Sequence, residues 1–173
     1  MPAPTRRSVS HTVLLVGEGT TEQAFLRYIK SLYISRGCGV GVTIRNARGK
    51  GPDHVVDYAI RQCRNAAYDR VVALLDTDLE MSVAVRRRAR TKKVHIIGST
   101  PCIEGLLLAI LGEHVPATSA ECKQRYGGVL PERLTLPENY AGHFPKELWM
   151  DNEMAFLSLH NCWIVCFLTR ISH

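Results

Sequence analysis

The chain has 173 residues, 46% of them hydrophobic and 22% charged. That length and balance suit one ordinary domain with a real core, or one domain with a short appendage, and exclude disordered, collagen-like and coiled-coil classes. Lys and Arg number 22 against 16 Asp and Glu, a net charge of +6. The nearest thing to a transmembrane helix, Trp163 to Leu168, falls far short of the ~18 residues a span needs. Met1–Arg7 carries two arginines with no apolar stretch after them, so the expectation is a cytoplasmic protein with no signal peptide and no membrane partner.

Residues 1–10 read as a loose tail. His11–Val16 is a β-branched apolar run stopped by Gly17-Glu18-Gly19, which predicts a buried strand ending in a turn. Thr20 or Thr21 can cap the following helix, whose Phe25, Leu26, Ile29, Leu32 and Tyr33 fall at helical spacing. Val40–Ile44 predicts a second strand, and Asn46–Pro52 a flexible basic loop. Asp53 then caps a helix bearing Val56, Ala59, Ile60 and Cys63 on one face.

Arg70–Leu75 is the clearest strand and runs into Asp76-Thr77-Asp78. A helix over about Glu80–Arg90, a strand at Val94–Ile97 and a helix opened by Ser99-Thr100-Pro101 follow. Continuous apolar strands alternating with amphipathic helices predict an α/β fold, a parallel sheet with helices on both faces, over residues 11–112. Residues 113–173 read as a C-terminal extension packed on it: loops with short elements to 150, then a terminal helix in Asn152–Ile171.

In parallel α/β sheets ligands bind beyond the carboxyl ends of the strands, and this chain puts its acids there. Glu18 follows the first strand and Glu22 lies one turn further on. Asp76 and Asp78 follow the third strand, and Glu104 the fourth. Carboxylates on neighbouring strand ends can share a hard divalent cation, and without one they repel and raise one another's pKa values. The alternative is that each acid only caps a helix or forms a turn, as Asp53 and Asp69 are expected to do. For Glu22 and Glu104 that alternative stays open.

The positive excess is local. Arg86, Arg87, Arg88, Arg90, Lys92 and Lys93 account for all of it, since the rest of the chain carries 16 basic and 16 acidic residues. Such a segment suits a polyanion, and equally a solvated helix face. Arg48 and Lys50 are candidate phosphate contacts or part of a mobile loop. No full GxGxxG, GK[ST], GxSxG, CxxC or HExxH motif is present, which disfavours dinucleotide, P-loop, serine-hydrolase and structural zinc sites. The six cysteines are expected to be reduced. His95, His143, His160, Cys162 and Cys166 are expected to pack, not ligate.

Val16-Gly-Glu18-Gly-Thr-Thr-Glu22, Leu75-Asp76-Thr-Asp78 and Ser99-Thr-Pro-Cys-Ile-Glu104, in that order, resemble the Toprim domain. More narrowly they resemble its stand-alone RloB-like and OLD-nuclease-like branch, over about residues 11–112. The resemblance implies a Toprim-like, Rossmann-like sheet and Mg²⁺- or Mn²⁺-dependent cleavage of phosphodiester bonds in DNA or RNA, often in bacterial defence against phage or mobile elements. It implies metal ligation by Asp76 and Asp78 with help from Glu22, and a metal-ligand or acid–base role for Glu18. Glu104 becomes a further acid of the site and Lys50 a transition-state phosphate contact. The basic segment 86–93 would hold nucleic acid through its phosphates. Gly105 departs from the pattern, which expects a large aromatic residue there.

Two other readings are compatible with the same residues. One is a non-catalytic accessory subunit that binds a partner such as an ATPase. The other is a phosphotransfer receiver domain, which fits loosely and lacks a convincing late lysine. A homodimer is compatible with any of these.

Overall fold

The computed structural model describes residues 9–130 and 134–151. Four strands, β1 (His11–Gly17), β2 (Val40–Asn46), β3 (Arg70–Asp76) and β4 (Val94–Ser99), form one sheet in the order β2-β1-β3-β4 with every pair parallel. The helices are α1 (Thr20–Tyr33), α2 (Gly51–Asn65), α3 (Val83–Thr91), α4 (Ile103–Ile110), α5 (Ser119–Val129) and α6 (Lys146–Asp151), with a 3-10 turn at Pro137–Tyr140. This is a Rossmann-like α/β arrangement, as the alternation of apolar strands and amphipathic helices predicts.

Side chains two apart along a strand share a face, and the core divides accordingly. Val13 and Leu15 of β1 and Val72 and Leu74 of β3 face α1, α4 and α5. Leu14 and Val16 of β1 and Val71, Ala73 and Leu75 of β3 face α2 and α3. Each fully buried leucine here contributes about 1.5–3 kcal/mol, and both faces of the central strands are covered, so neither strand alternates with polar residues. β4 is an outer strand, which corrects the reading of His95 as packed: His95 and Ile96 are exposed on it.

Several boundaries also differ from the sequence reading. Neither Thr20 nor Thr21 caps α1. Its N-cap is Gly19, whose N–H is taken by Glu22 Oε2 at 2.8 Å. Asp53 does not cap α2, which begins at Gly51. It accepts the N–H of Ser82, the N-cap of α3, at 2.9 Å and so ties α2 to α3. Asp69, expected to cap or turn, instead ties the start of β3 to β1, accepting from Thr12 N–H at 2.7 Å and Thr12 Oγ1 at 2.8 Å.

Residues past 112 enter the main core. Thr118 caps α5 by accepting the Glu121 N–H, and α5 places Cys122 and Tyr126 against α4 in the cluster that also holds Leu130, Leu134, Tyr140 and Phe144. Tyr140 stacks on Tyr28 and donates its hydroxyl to the Thr21 carbonyl at 3.2 Å, and Tyr28 donates to the Phe144 carbonyl. His143 is half-buried beside them. The expected terminal helix, with His160, Cys162, Trp163 and Cys166, lies outside the described residues, as does most of the N-terminal tail. Among the described residues no helix is long and apolar enough to cross a membrane.

Candidate metal centre

Because all four strands run the same way, their carboxyl ends form one edge. Gly17 ends β1 there, and a Cβ on it would lie 2.9 Å from Glu22 Cβ and 3.0 Å from Gln23 N. Only glycine lets the first turn of α1 close this tightly on β1, and that closure buries Glu22, which is 6% exposed. The next residue, Glu18, is pinned to β3 by its N–H on the Leu74 carbonyl at 3.2 Å, and its Oε2 accepts the Asp76 N–H at 3.4 Å. Glu18 therefore spans from β1 to the end of β3.

Asp76 is the hub of the group. Its Oδ1 accepts the Ile103 N–H at 3.0 Å, an otherwise unpaired donor of the first turn of α4. The Thr77 N–H bonds the Ser99 and Pro101 carbonyls and the Asp78 N–H bonds the Pro101 carbonyl, so the turn after β3 is clamped to the segment after β4. Asp78 is exposed and its Oδ2 accepts from Ser119 Oγ at 2.8 Å. Glu104 sits in the first turn of α4 with its Oε2 buried and without a hydrogen-bond partner.

Acids from three segments thus share this edge: Asp76 bonds Glu18 through its N–H and holds the first turn of α4, which carries Glu104. Burial pushes the Asp76 carboxyl up to about 8, and the charges of Glu22, Glu18, Glu104 and Asp78 push in the same direction. Burial also raises Glu22, with the Gly19 N–H opposing it and the charges of Glu104 and Glu18 adding to it. Next to them the Cys102 thiol is pushed up to about 12, chiefly by burial, which leaves it a neutral packing group.

The donor chemistry suits a hard divalent cation: carboxylate oxygens throughout, one of them buried and unpaired. Among the described residues no three His, Cys, Asp or Glu side chains are already gathered as a metal cluster, so the acids share a region without a closed coordination shell.

The other singled-out residues divide between two places. Arg48 and Lys50 lie at the acidic edge, where the Gly49 N–H between them donates to the Glu18 carbonyl at 2.8 Å. The basic segment sits on α3 and beyond. Arg86, Arg87 and Arg90 are exposed, and Arg88 is taken up by Asp57 through two bonds of 2.8 and 2.9 Å. Lys92 and Lys93 precede β4 and so lie at the opposite edge, roughly 17 Å away along the six-residue strand. Gly105 has a local reason: a Cβ there would lie 2.9 Å from Pro101 Cδ, 3.1 Å from the Thr100 carbonyl and 3.3 Å from Cys122 Sγ. An aromatic side chain has no room.

Two contributors escaped the sequence reading. Ser119 comes from beyond the expected domain boundary, and the Ile103 N–H is backbone. For the first, Thr118-x-x-Glu121 carries a capping-box pattern, a signal for where a helix starts but not for where it docks.

The molecule is thus a parallel α/β protein with a carboxylate cluster at the carboxyl edge of its sheet. Its sequence matches the RloB-like protein family model over residues 13–158, most of the chain, and the protein belongs to that family. No curated protein and no solved structure matches it significantly.

Proposed function

We propose that this RloB-like protein is a divalent-metal-dependent nuclease of the Toprim type, hydrolysing phosphodiester bonds in DNA or RNA with Mg²⁺ or Mn²⁺. The observation that supports it is the placement of Glu18, Glu22, Asp76, Asp78 and Glu104, from three separate segments, on one edge, with Glu18 bonded to the Asp76 N–H and Asp76 to the first turn of α4. Crowded, partly buried carboxylates destabilise a fold unless a cation offsets their repulsion, so a purely structural role explains them poorly.

Asp76 and Asp78 would hold the cation, with Glu22 and Glu104 completing the acidic wall. When bound, a cation supplies Lewis-acid stabilisation of the phosphate and lowers the pKa of water. Asp76 is kept in place by the Ile103 N–H, so one of its oxygens has a fixed direction while the other is left for the site. Glu18 bridges β1 and β3 and is the acid best placed to take a proton from the attacking water. Lys50 would meet the phosphate from the side of the β2–α2 loop. A role in defence against phage or mobile elements rests on the sequence resemblance alone.

A second reading, a non-catalytic accessory subunit that binds a partner such as an ATPase, rests on the sequence alone. Incubating the protein with plasmid DNA, single-stranded DNA and tRNA, with Mg²⁺ or Mn²⁺, separates the two. We expect cutting that requires the cation and falls at least about a hundredfold in Asp76→Asn, since loss of mere outer partners of metal ligands already costs ~10–100-fold. Glu18→Gln should fall alongside it. A folded wild type that binds cation and cuts nothing moves the assignment to the accessory subunit.

A further inference from the structure

Beside the acidic edge, and outside the carboxylate group, lies a cleft of about 680 Å³ walled by α1, the end of β2, the β2–α2 loop and α2. Arg27, Arg45, Arg48 and Lys50 line it together with His54 and Tyr58, and no carboxylate does. All four cations are exposed, and among the described residues the ion pairs are Arg88–Asp57 and Arg125–Glu113, which involve none of them. The acids of α2 are turned to α3: Asp53 accepts the Ser82 N–H and Asp57 holds Arg88. Four like charges thus share one recess with no internal counterion, an arrangement that favours an anionic ligand.

The cleft also adjoins the acidic edge. The Ala47 N–H donates to the Gly17 carbonyl at 2.9 Å and the Gly49 N–H to the Glu18 carbonyl at 2.8 Å. The loop that lines the cleft is thus bonded to the turn that carries Glu18.

We propose that the cleft is a channel for single-stranded nucleic acid, with consecutive phosphates on Arg27, Arg45, Arg48 and Lys50 and a base against Tyr58. The proposal deepens the nuclease reading and rests on it only for the identity of the neighbouring acidic edge as the cutting site. Four cations exceed the roughly two negative charges of one phosphate monoester and match several strand phosphates. Tyr58 in the wall, half-buried and with the Arg61 guanidinium 6.0 Å from its ring centre, offers an aromatic contact that a strand with unpaired bases can use and a duplex cannot. Of the arginines of α3, Arg88 is already neutralised by Asp57.

The test is fluorescence anisotropy of labelled single-stranded 12-mers, DNA and RNA, binding to the full chain in EDTA, where no cleavage competes. The expected result is a Kd at least tenfold higher for Arg27→Ala/Arg45→Ala, with the salt slope shallower by roughly 1.4, two contacts at ~0.7 each. Arg36→Ala/Arg64→Ala, which removes the same charge from the opposite edge, should change Kd less than twofold. Tyr58→Leu should weaken binding at least fivefold with the salt slope unchanged, since it removes stacking and not charge. Equal affinity for a 12-base-pair duplex would overturn the proposal, as would full displacement of the strand by micromolar nucleoside triphosphate. A larger loss in Arg86→Ala/Arg87→Ala than in the cleft pair would do the same. Should the protein cut nothing while binding still depends on Arg27 and Arg45, the cleft stands and the nuclease reading fails.

Discussion

The acidic edge and the basic cleft lie side by side at the carboxyl end of one sheet, and they are built in opposite ways. The acids are short side chains set directly at strand ends and helix starts and held by backbone N–H groups, as Asp76 is by Ile103 and Glu22 by Gly19. The cations are long side chains reaching from a helix face, an edge strand and a loop into open space. Fixed, crowded and partly dehydrated charges store repulsion, whereas exposed and flexible ones are screened and cost little. One region should therefore trade stability against activity, and the other should affect binding with little effect on the fold.

The strongest way to break this contrast is the cleavage assay on Asp76→Asn, where activity should fall at least about a hundredfold. Next in size is packing under the acids. Gly105→Ala should cost about 2 kcal/mol in chemical denaturation, because the new methyl meets Pro101, the Thr100 carbonyl and Cys122, and overpacked cores lose ~1–3 kcal/mol.

The same Asp76→Asn change should have the opposite sign on the metal-free fold. Folded, Asp76 keeps its proton up to about 8, while an ordinary aspartate loses it near 3.8. Between those values the folded state binds more protons than the unfolded one, so metal-free stability should decline as pH rises from about 4 to 8. Asn keeps the acceptor for Ile103 N–H and carries no charge. It should flatten that decline and gain about 1–2 kcal/mol at pH 7.5, read as a melting temperature several degrees higher. A variant that loses stability there would contradict the account of the edge as strained by its own charge. Smallest is Arg88→Ala, whose exposed bridge to Asp57 should be worth no more than about 0.5 kcal/mol and should weaken further in high salt.

The two regions also differ in how readable they were from residues alone. β1, β3 and the acids after them were legible because a doubly buried strand is a continuous apolar run, and the residue that ends it must fall at the sheet edge. Which helix end Glu22 serves was not, since a glutamate three residues after the N-cap can take the cap's N–H without a Thr in that role. The exposed outer strand hid His95, whose apolar neighbours imitate a buried run. Ser119 was missed because α5 is short and rich in polar residues, so nothing local announced that it docks on α4. The cleft was only half legible. Arg48 and Lys50 lie in a loop beside the first acids, but Arg27 and Arg45 join them only once α1 packs over the end of β2, which no spacing along the chain records.

The most direct test of the carboxylate edge as a cation site is a calorimetric titration of Mn²⁺ into wild type and Asp76→Asn at pH 7, run in two buffers of different ionisation enthalpy. Metal binding to a protonated carboxylate must displace its proton. Wild type should bind saturably in the micromolar-to-millimolar range with release of about one proton, and Asp76→Asn should bind at least about tenfold more weakly with no such release. Equal binding by the two proteins, or no saturable binding by folded wild type, would contradict it.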